Sequence, residues 1–172
     1  MPTTLSALNQ SDCAAFTAAL GHLFEHSPWV AEETWSKRPF GDATQLHVAL
    51  CATMRAATRE RQLALICAHP DLAGRLARQK RLTAESTREQ ASAGLDQLTD
   101  AELAEFTRFN DAYKAKFGFP FIICARLNAK DAIAGAMRAR SGHSPAEEFA
   151  TALAEIEKIA RLRLEDVLKK TE

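Results

Sequence analysis

Excess charge of either sign is missing from this chain of 172 residues, in which 22 Lys and Arg balance 22 Asp and Glu. Without an overall field, function through a partner gathered by bulk charge is disfavoured, whether nucleic acid, an anionic membrane or a polycationic protein. Glycine and proline are scarce, at seven and six, which excludes collagen-like and low-complexity chains. No apolar run reaches the roughly 18 residues needed to span a bilayer. The opening Met1-Pro-Thr-Thr-Leu-Ser lacks the basic-then-apolar order of a secretory signal, and the closing Lys170-Thr-Glu172 is no receptor-read peroxisomal tripeptide. Cys13, Cys51, Cys67 and Cys124 form no CxxC pair that would grip zinc or run dithiol chemistry. Buried, reduced thiols in a cytoplasmic protein are expected.

What is present is a 47% hydrophobic composition, enough for a real core, in a length that suits one domain of about 100–150 residues or a little more. Helical spacing dominates. Ser11 or Asp12 can cap a helix carrying Phe16, Leu20, Leu23 and Phe24, with Pro28 just beyond its end. Trp29, Val30 and Trp35 form a short turn before Pro39, and Asp42 can cap a helix with Leu46, Leu50, Met54 and Ala57 on one face. The His69-Pro70 step predicts a break at His69, with Pro70 able to restart a helix at its first position. Ser86 with Glu89, and Thr99 with Glu102, read as capping boxes. Leu103, Phe106, Phe109, Asn110 and Tyr113 then mark the face of a long helix stopped by Gly118. Phe119-Pro-Phe-Ile-Ile-Cys124 is an apolar run, extended or buried loop, and Ser144-Pro145 with Glu147 opens the last helix through Phe149, Leu153, Ile156, Ile159, Ala160, Arg163 and Val167. The expected fold is all-α, a single compact domain over residues 1–172 with about seven or eight helices. Its prolines argue against a simple up-and-down bundle.

Several local patterns carry competing readings. His22-Leu-Phe-Glu25-His26 matches H-x-x-E-H, which on one helix could aim two histidines at zinc; no third ligand is evident, and histidines near a helix end are the plainer account. Arg75, Arg78, Lys80 and Arg81 resemble a nucleic-acid patch but contain no aromatic, so a solvated helix end is favoured. Cys67 near His69 could be a nucleophile beside a base, yet its apolar neighbours Leu65, Ile66 and Ala68 predict a buried, unionised thiol. His69 itself, ahead of proline at a break, has a fixed backbone, an expected exposed edge and a pKa near neutrality, as proton transfer requires. An ordinary turn histidine fits equally well, and Glu89 is equally well a capping residue.

Longer ordered segments resolve this balance. Phe24-Glu-His-Ser-Pro28-Trp-Val-Ala-Glu32, Arg38-Pro-Phe40, His69-Pro-Asp-Leu-Ala-Gly74, Leu82-Thr-Ala-Glu-Ser86-Thr-Arg-Glu89-Gln90, Ala93-Gly-Leu95, Lys116-Phe-Gly-Phe-Pro-Phe-Ile122 and Glu157-Lys-Ile-Ala-Arg-Leu-Arg163-Leu recur in order. Together they resemble the 2-oxo-4-hydroxy-4-carboxy-5-ureidoimidazoline (OHCU) decarboxylases of uric acid degradation. The resemblance implies an all-helical carboxy-lyase, without metal or organic cofactor, that forms (S)-allantoin and carbon dioxide. It assigns His69 and Glu89 as catalytic residues. Pro70, Ser86, Gln90, Phe119, Ile122, Ile123 and Arg163 become substrate-binding, with Arg161 as the alternative register for the arginine and backbone groups acting in the Phe119–Ile123 loop. It also implies a small-molecule partner, OHCU, no nucleic acid or membrane partner, and a homodimer, for which Trp29, Trp35 and Phe40 offer surface. A lyase or hydrolase of a related ureido compound, and a non-catalytic helical interaction module, are the alternatives.

Overall fold

The structure is a computed structural model and describes residues 4–74 and 82–169. The basic cluster Arg75, Arg78, Lys80 and Arg81 and the closing tripeptide lie outside the described residues. Among those described, nine α-helices and three 3-10 turns carry the chain and no strand occurs, in agreement with the all-α expectation. The chain divides into two compact units, one of Met1–Ala68 with Glu157–Glu172 and one of His69–Ile156.

The first unit begins with a helix that periodicity did not reveal, α1 (Leu5–Gln10), capped by Thr4. Its six residues bury one side chain, Leu8, which is too little apolar spacing to register as a pattern. Helix α2 (Cys13–Leu20) starts where Asp12 accepts the Ala15 N–H at 2.7 Å. It gives way at Gly21–Leu23 to a 3-10 turn. His22 and His26 therefore do not share one α-helical face, and His26 adopts φ +47°, so the H-x-x-E-H spacing does not have the geometry its motif needs. Helices α3 (Trp29–Thr34) and α4 (Ala43–Ala56) follow, with Asp42 capping α4 as expected. Helix α2 packs on α3 and α3 on α4, around Phe16, Leu20, Val30, Leu46, Leu50 and Met54. Phe40 is buried and stacks on Phe16 at 6.3 Å; it is core, not the surface residue anticipated. Between α3 and α4 the Thr34 and Thr53 hydroxyls meet at 2.7 Å, satisfying each other away from water. Helix α5 (Arg59–Ala68) ends the first segment.

In the second unit the break at His69 occurs as expected, but Pro70 does not restart a helix: residues 69–74 form a non-helical loop. Helix α6 (Ala84–Ser92) is capped by Thr83, whose side chain accepts the Ser86 N–H at 3.2 Å. The capping box expected at Ser86 is thus displaced by three residues, which puts Ser86 and Gln90 on the buried side. Thr99 and Glu102 do form the reciprocal box that opens α7 (Asp100–Phe117), and Gly118 ends it at φ +79°, a conformation that glycine adopts without steric cost. Helix α8 spans Lys130–Arg140. Helix α9 (Pro145–Lys169) opens with a second box: Ser144 N–H donates to Glu147 and the Glu147 N–H donates to Ser144 Oγ. An aromatic cluster of Tyr113, Phe117, Phe119, Phe121 and Phe149 joins α7, the loop after it and α9, with Tyr113 4.4 Å from Phe117 and edge-on to Phe121 at 5.3 Å. Such tilted and edge-on pairs place positive ring edges against negative faces.

Candidate active site

Three segments of the second unit converge. The His69–Gly74 loop turns tightly: the Gly74 N–H donates to the Asp71 carbonyl at 3.2 Å, and Ala73 sits at φ +50°. A Cβ at Gly74 would fall 2.6 Å from that of Asp71, so only glycine fits the turn. Helices α6 and α7 hold this loop by polar side chains. Gln90 Oε1 accepts the Ala73 N–H at 2.9 Å while its Nε2 donates to the Asp71 carbonyl at 3.4 Å. Asn110 Nδ2 donates to the Leu72 carbonyl at 2.9 Å, and Lys114 pairs with Asp71 at 2.6 Å. A non-helical, buried backbone needs such partners, since each unmet group costs about 1–3 kcal/mol.

Two expectations change here. His69 is only 8% exposed and its Nε2 is shielded from solvent, so the exposed edge expected of a turn histidine is absent. Cys67 points the other way: it is exposed, because α5 turns its Leu65 and Ile66 side inward. Cys51 and Cys124 are buried, and burial pushes their thiols up to about 12 and about 11; neither is a poised nucleophile. Cys13 is half-buried, so the expectation of four buried thiols holds for two.

The second segment is α6, where Ser86 and Gln90 are buried and Glu89 is half-buried. It packs on the 3-10 turn Ala125–Leu127, and the Lys130 N–H at the start of α8 donates to the Ala93 carbonyl at 3.0 Å. Burial first, then the charges of Glu155 and Glu89, raise the Cys124 thiol. The turn on which α6 packs continues directly from the third segment, Phe119–Cys124, all of whose residues are buried.

Arg163 belongs to the first unit and is 4% exposed; its Nη1 donates to Glu25 at 3.0 Å and to the His22 carbonyl at 3.2 Å. Arg161 is exposed and pairs with Glu165, one turn on, at 3.3 Å. Of the two registers, Arg163 is the one in a buried, fixed setting. Its partner Glu25 is the glutamate of the H-x-x-E-H pattern. Among the described residues no group of three or more His, Cys, Asp or Glu is placed to hold a metal ion.

Asn110, Lys114, Arg140, Glu148 and Glu155 escaped the reading of the sequence. Asn110 was visible as a polar residue on an otherwise apolar stripe, and Glu148 and Glu155 as acids seven apart beside the apolar face of α9. Nothing local to Arg140 or Lys114 distinguished them from solvated charges.

A family profile for OHCU decarboxylases matches residues 9–165. The chain belongs to the OHCU decarboxylase family. A 2-oxo-4-hydroxy-4-carboxy-5-ureidoimidazoline decarboxylase from Halalkalicoccus jeotgali is 45% identical over 95% of this chain and 91% of its own length. The uric acid degradation bifunctional protein PucL of Bacillus subtilis is 42% identical over 96% of this chain, which spans about a third of that protein. A crystal structure of (S)-allantoin synthase superposes with a TM-score of 0.76 at 32% identity, covering 97% of this chain and 54% of the other. As an OHCU decarboxylase family member, the chain is a carboxy-lyase of uric acid degradation.

Proposed function

We propose that the chain decarboxylates OHCU to (S)-allantoin and carbon dioxide, with His69 and Glu89 as its catalytic residues. The observation that carries this reading is the convergence of three segments distant in sequence: Gln90 binds the His69–Gly74 loop, and α6, which carries Glu89, packs on the Ala125–Leu127 turn that directly follows Phe119–Cys124. These same segments carry the family resemblance.

The substrate makes the chemistry economical. Its carboxylated carbon bears a hydroxyl and adjoins a C=N bond, so the electron pair freed when the carbon–carboxylate bond breaks can delocalise into that bond. His69 takes or polarises the hydroxyl proton, and Glu89 orients His69 and tunes its charge. Protonation of the resulting enol-type intermediate on one face fixes the handedness. A shielded His69 suits this role, because exclusion of water strengthens each electrostatic contact and keeps stray protons from the other face. Ser86, Gln90, Pro70 and the backbone of Phe119, Ile122 and Ile123 are proposed to surround the substrate. Gln90 would do so while still holding the loop, since an amide has four hydrogen-bonding positions. For Arg163 the proposed role is binding carbonyl or ureido oxygens, because a strong clamp on the departing carboxylate would stabilise the ground state. Its buried bond to Glu25 supports a fixed guanidinium.

The proposed setting is cytoplasmic and homodimeric; no helix among the described residues is long and apolar enough to cross a membrane. Sedimentation of the purified chain tests the dimer. The activity is tested by adding the protein to freshly generated OHCU, which decays unaided to racemic allantoin. Faster decay with one enantiomer supports the proposal, and racemic product at the spontaneous rate defeats it.

A further inference from the structure

We propose that Arg140, Glu148 and Glu155 are positioning residues that hold the Phe119–Cys124 backbone in the form that receives substrate, a role that rests on the reading just given. This segment is buried without being helix or strand, so its shape has to be set from outside. Two tethers set it. At one, Arg140 Nη1 donates to the Ile122 carbonyl at 2.8 Å. At the other, Glu155 accepts the Cys124 N–H at 2.8 Å.

The first tether is itself held from three directions. Glu148, which is 0% exposed, receives Arg140 Nε at 3.1 Å and Nη2 at 2.8 Å. It also accepts the Tyr113 hydroxyl and faces His143 Nδ1 at 2.7 Å. The guanidinium lies 4.2 Å from the centroid of the Phe121 ring, in the segment being held. Such an arrangement allows the guanidinium one orientation, because a bidentate carboxylate fixes its plane and its remaining amine is then aimed at Ile122. Burial opposes the charge on Glu148, but hydrogen bonds from Arg140 and Tyr113 outweigh it, and the carboxyl stays below its ordinary value.

Glu148 and Glu155 both come from α9 and stand seven residues apart, two helical turns on one face, or about 10.5 Å along the axis. One rigid helix therefore governs both ends of the tethered stretch, Ile122 through Arg140 and Cys124 directly. Buried ion pairs are often no more stabilising than apolar residues of similar size. What the Arg140–Glu148 pair supplies here is a fixed direction for a backbone carbonyl. A substrate meeting this backbone then finds its hydrogen-bonding groups already ordered, which favours binding by removing an entropic cost. None of the three residues is asked to move a proton.

The test compares Glu155→Leu, Glu155→Gln and the double variant Arg140→Met/Glu148→Leu with the parent in steady-state decarboxylation. The double variant removes both charges together, so it does not strand one of them in the interior. Glu155→Leu and the double variant are expected to raise KM by about tenfold or more with kcat within about threefold. Glu155→Gln, which keeps an acceptor for Cys124 N–H, should return KM close to the parent value. Folded Glu155→Leu and double variants with parental KM would overturn the proposal, as would a fall in kcat at unchanged KM, which would mean a part in the chemistry. Hydrogen exchange at the Cys124 amide separates this from the activity reading. If the parent does not turn over OHCU, the proposed function fails, yet faster exchange in Glu155→Leu, with α9 amides unaltered, still supports the tether. Unchanged exchange there overturns it.

Discussion

Two buried, irregular stretches of the second unit are held in contrasting ways. The His69–Gly74 loop is fastened chiefly by neutral amides, Gln90 and Asn110, with a half-exposed Lys114–Asp71 pair at its edge. The Phe119–Cys124 stretch is fastened by buried charges, Arg140 with Glu148 and Glu155. Amides that do not titrate keep the loop bearing His69 in place across the pH range in which a histidine exchanges protons. A charged fastening gives a more definite direction to a backbone group, at the cost of sensitivity to acid. The proposed proton-transfer loop and the proposed binding stretch thus differ in what disturbs them.

The largest expected effect lies on the first stretch. His69→Ala and Glu89→Ala should each lower the decarboxylation rate by about 10²–10⁴, the range of general acid–base catalysis, while keeping the parental helical circular dichroism. Normal turnover by both variants would remove the catalytic assignment and with it the functional side of the contrast.

Next comes the charged fastening. Glu148→Leu alone leaves Arg140 uncompensated in the interior and should cost about 3–5 kcal/mol in urea unfolding. Asn110→Leu, on the neutral side, should cost less, about 1–3 kcal/mol for the Leu72 carbonyl left without its donor. The lower end is expected, because the Asn110 Oδ1 already has no partner among the described residues. If the two losses came out equal, charge would not distinguish the two stretches.

The pH dependence of stability gives a smaller and more gradual contrast. Glu148 has its folded pKa held below the ordinary 4.5, so its contribution is complete above that value and is lost as pH falls through the folded one. On the alkaline side, Tyr113 is raised by burial and by Glu148, and Cys124 is raised to about 11. A group raised in this way contributes fully below its unfolded value, 9.0 for the thiol, and loses its contribution as pH climbs toward the folded one. Urea midpoints should therefore fall below about pH 4.5 and again above about pH 9. The acid limb should flatten in Arg140→Met/Glu148→Leu, and an unchanged limb would show that the buried pair is not what acid attacks.

Much of this architecture is legible in the sequence because it is local. Asp42 and Thr99 cap their helices where the residues predict, Asp12 is the one of the two candidates Ser11 and Asp12 that caps α2, Gly118 stops α7, and Ser144-Pro145 opens α9. Each signal acts within one helical turn. The cap of α6 is the instructive exception: Thr83 and Ser86 can both cap, and burial of Ser86 and Gln90 selects Thr83, a tertiary choice that overrides local pattern. For the same reason Pro70 was free to open a helix, but Gln90, Asn110 and Lys114 draw the following residues into a loop. Local pattern leaves His69 evenly balanced between a proton-transfer residue and a turn residue and reads Glu89 as a capping one, and the family resemblance is what pairs them. Arg140, Glu148 and Glu155 act across 18 to 31 residues of chain or through one another. No short window of sequence contains their partners.

Stereospecific decarboxylation is proposed to take place at the site that His69 and Glu89 form. Its most direct test is chiral analysis of the allantoin made from freshly generated OHCU by the parent chain and by His69→Ala, side by side. The parent should accelerate loss of substrate and yield the S enantiomer alone, and His69→Ala should give racemic product at the spontaneous rate. Racemic product from the parent, or S product at parental rate from His69→Ala, would contradict it.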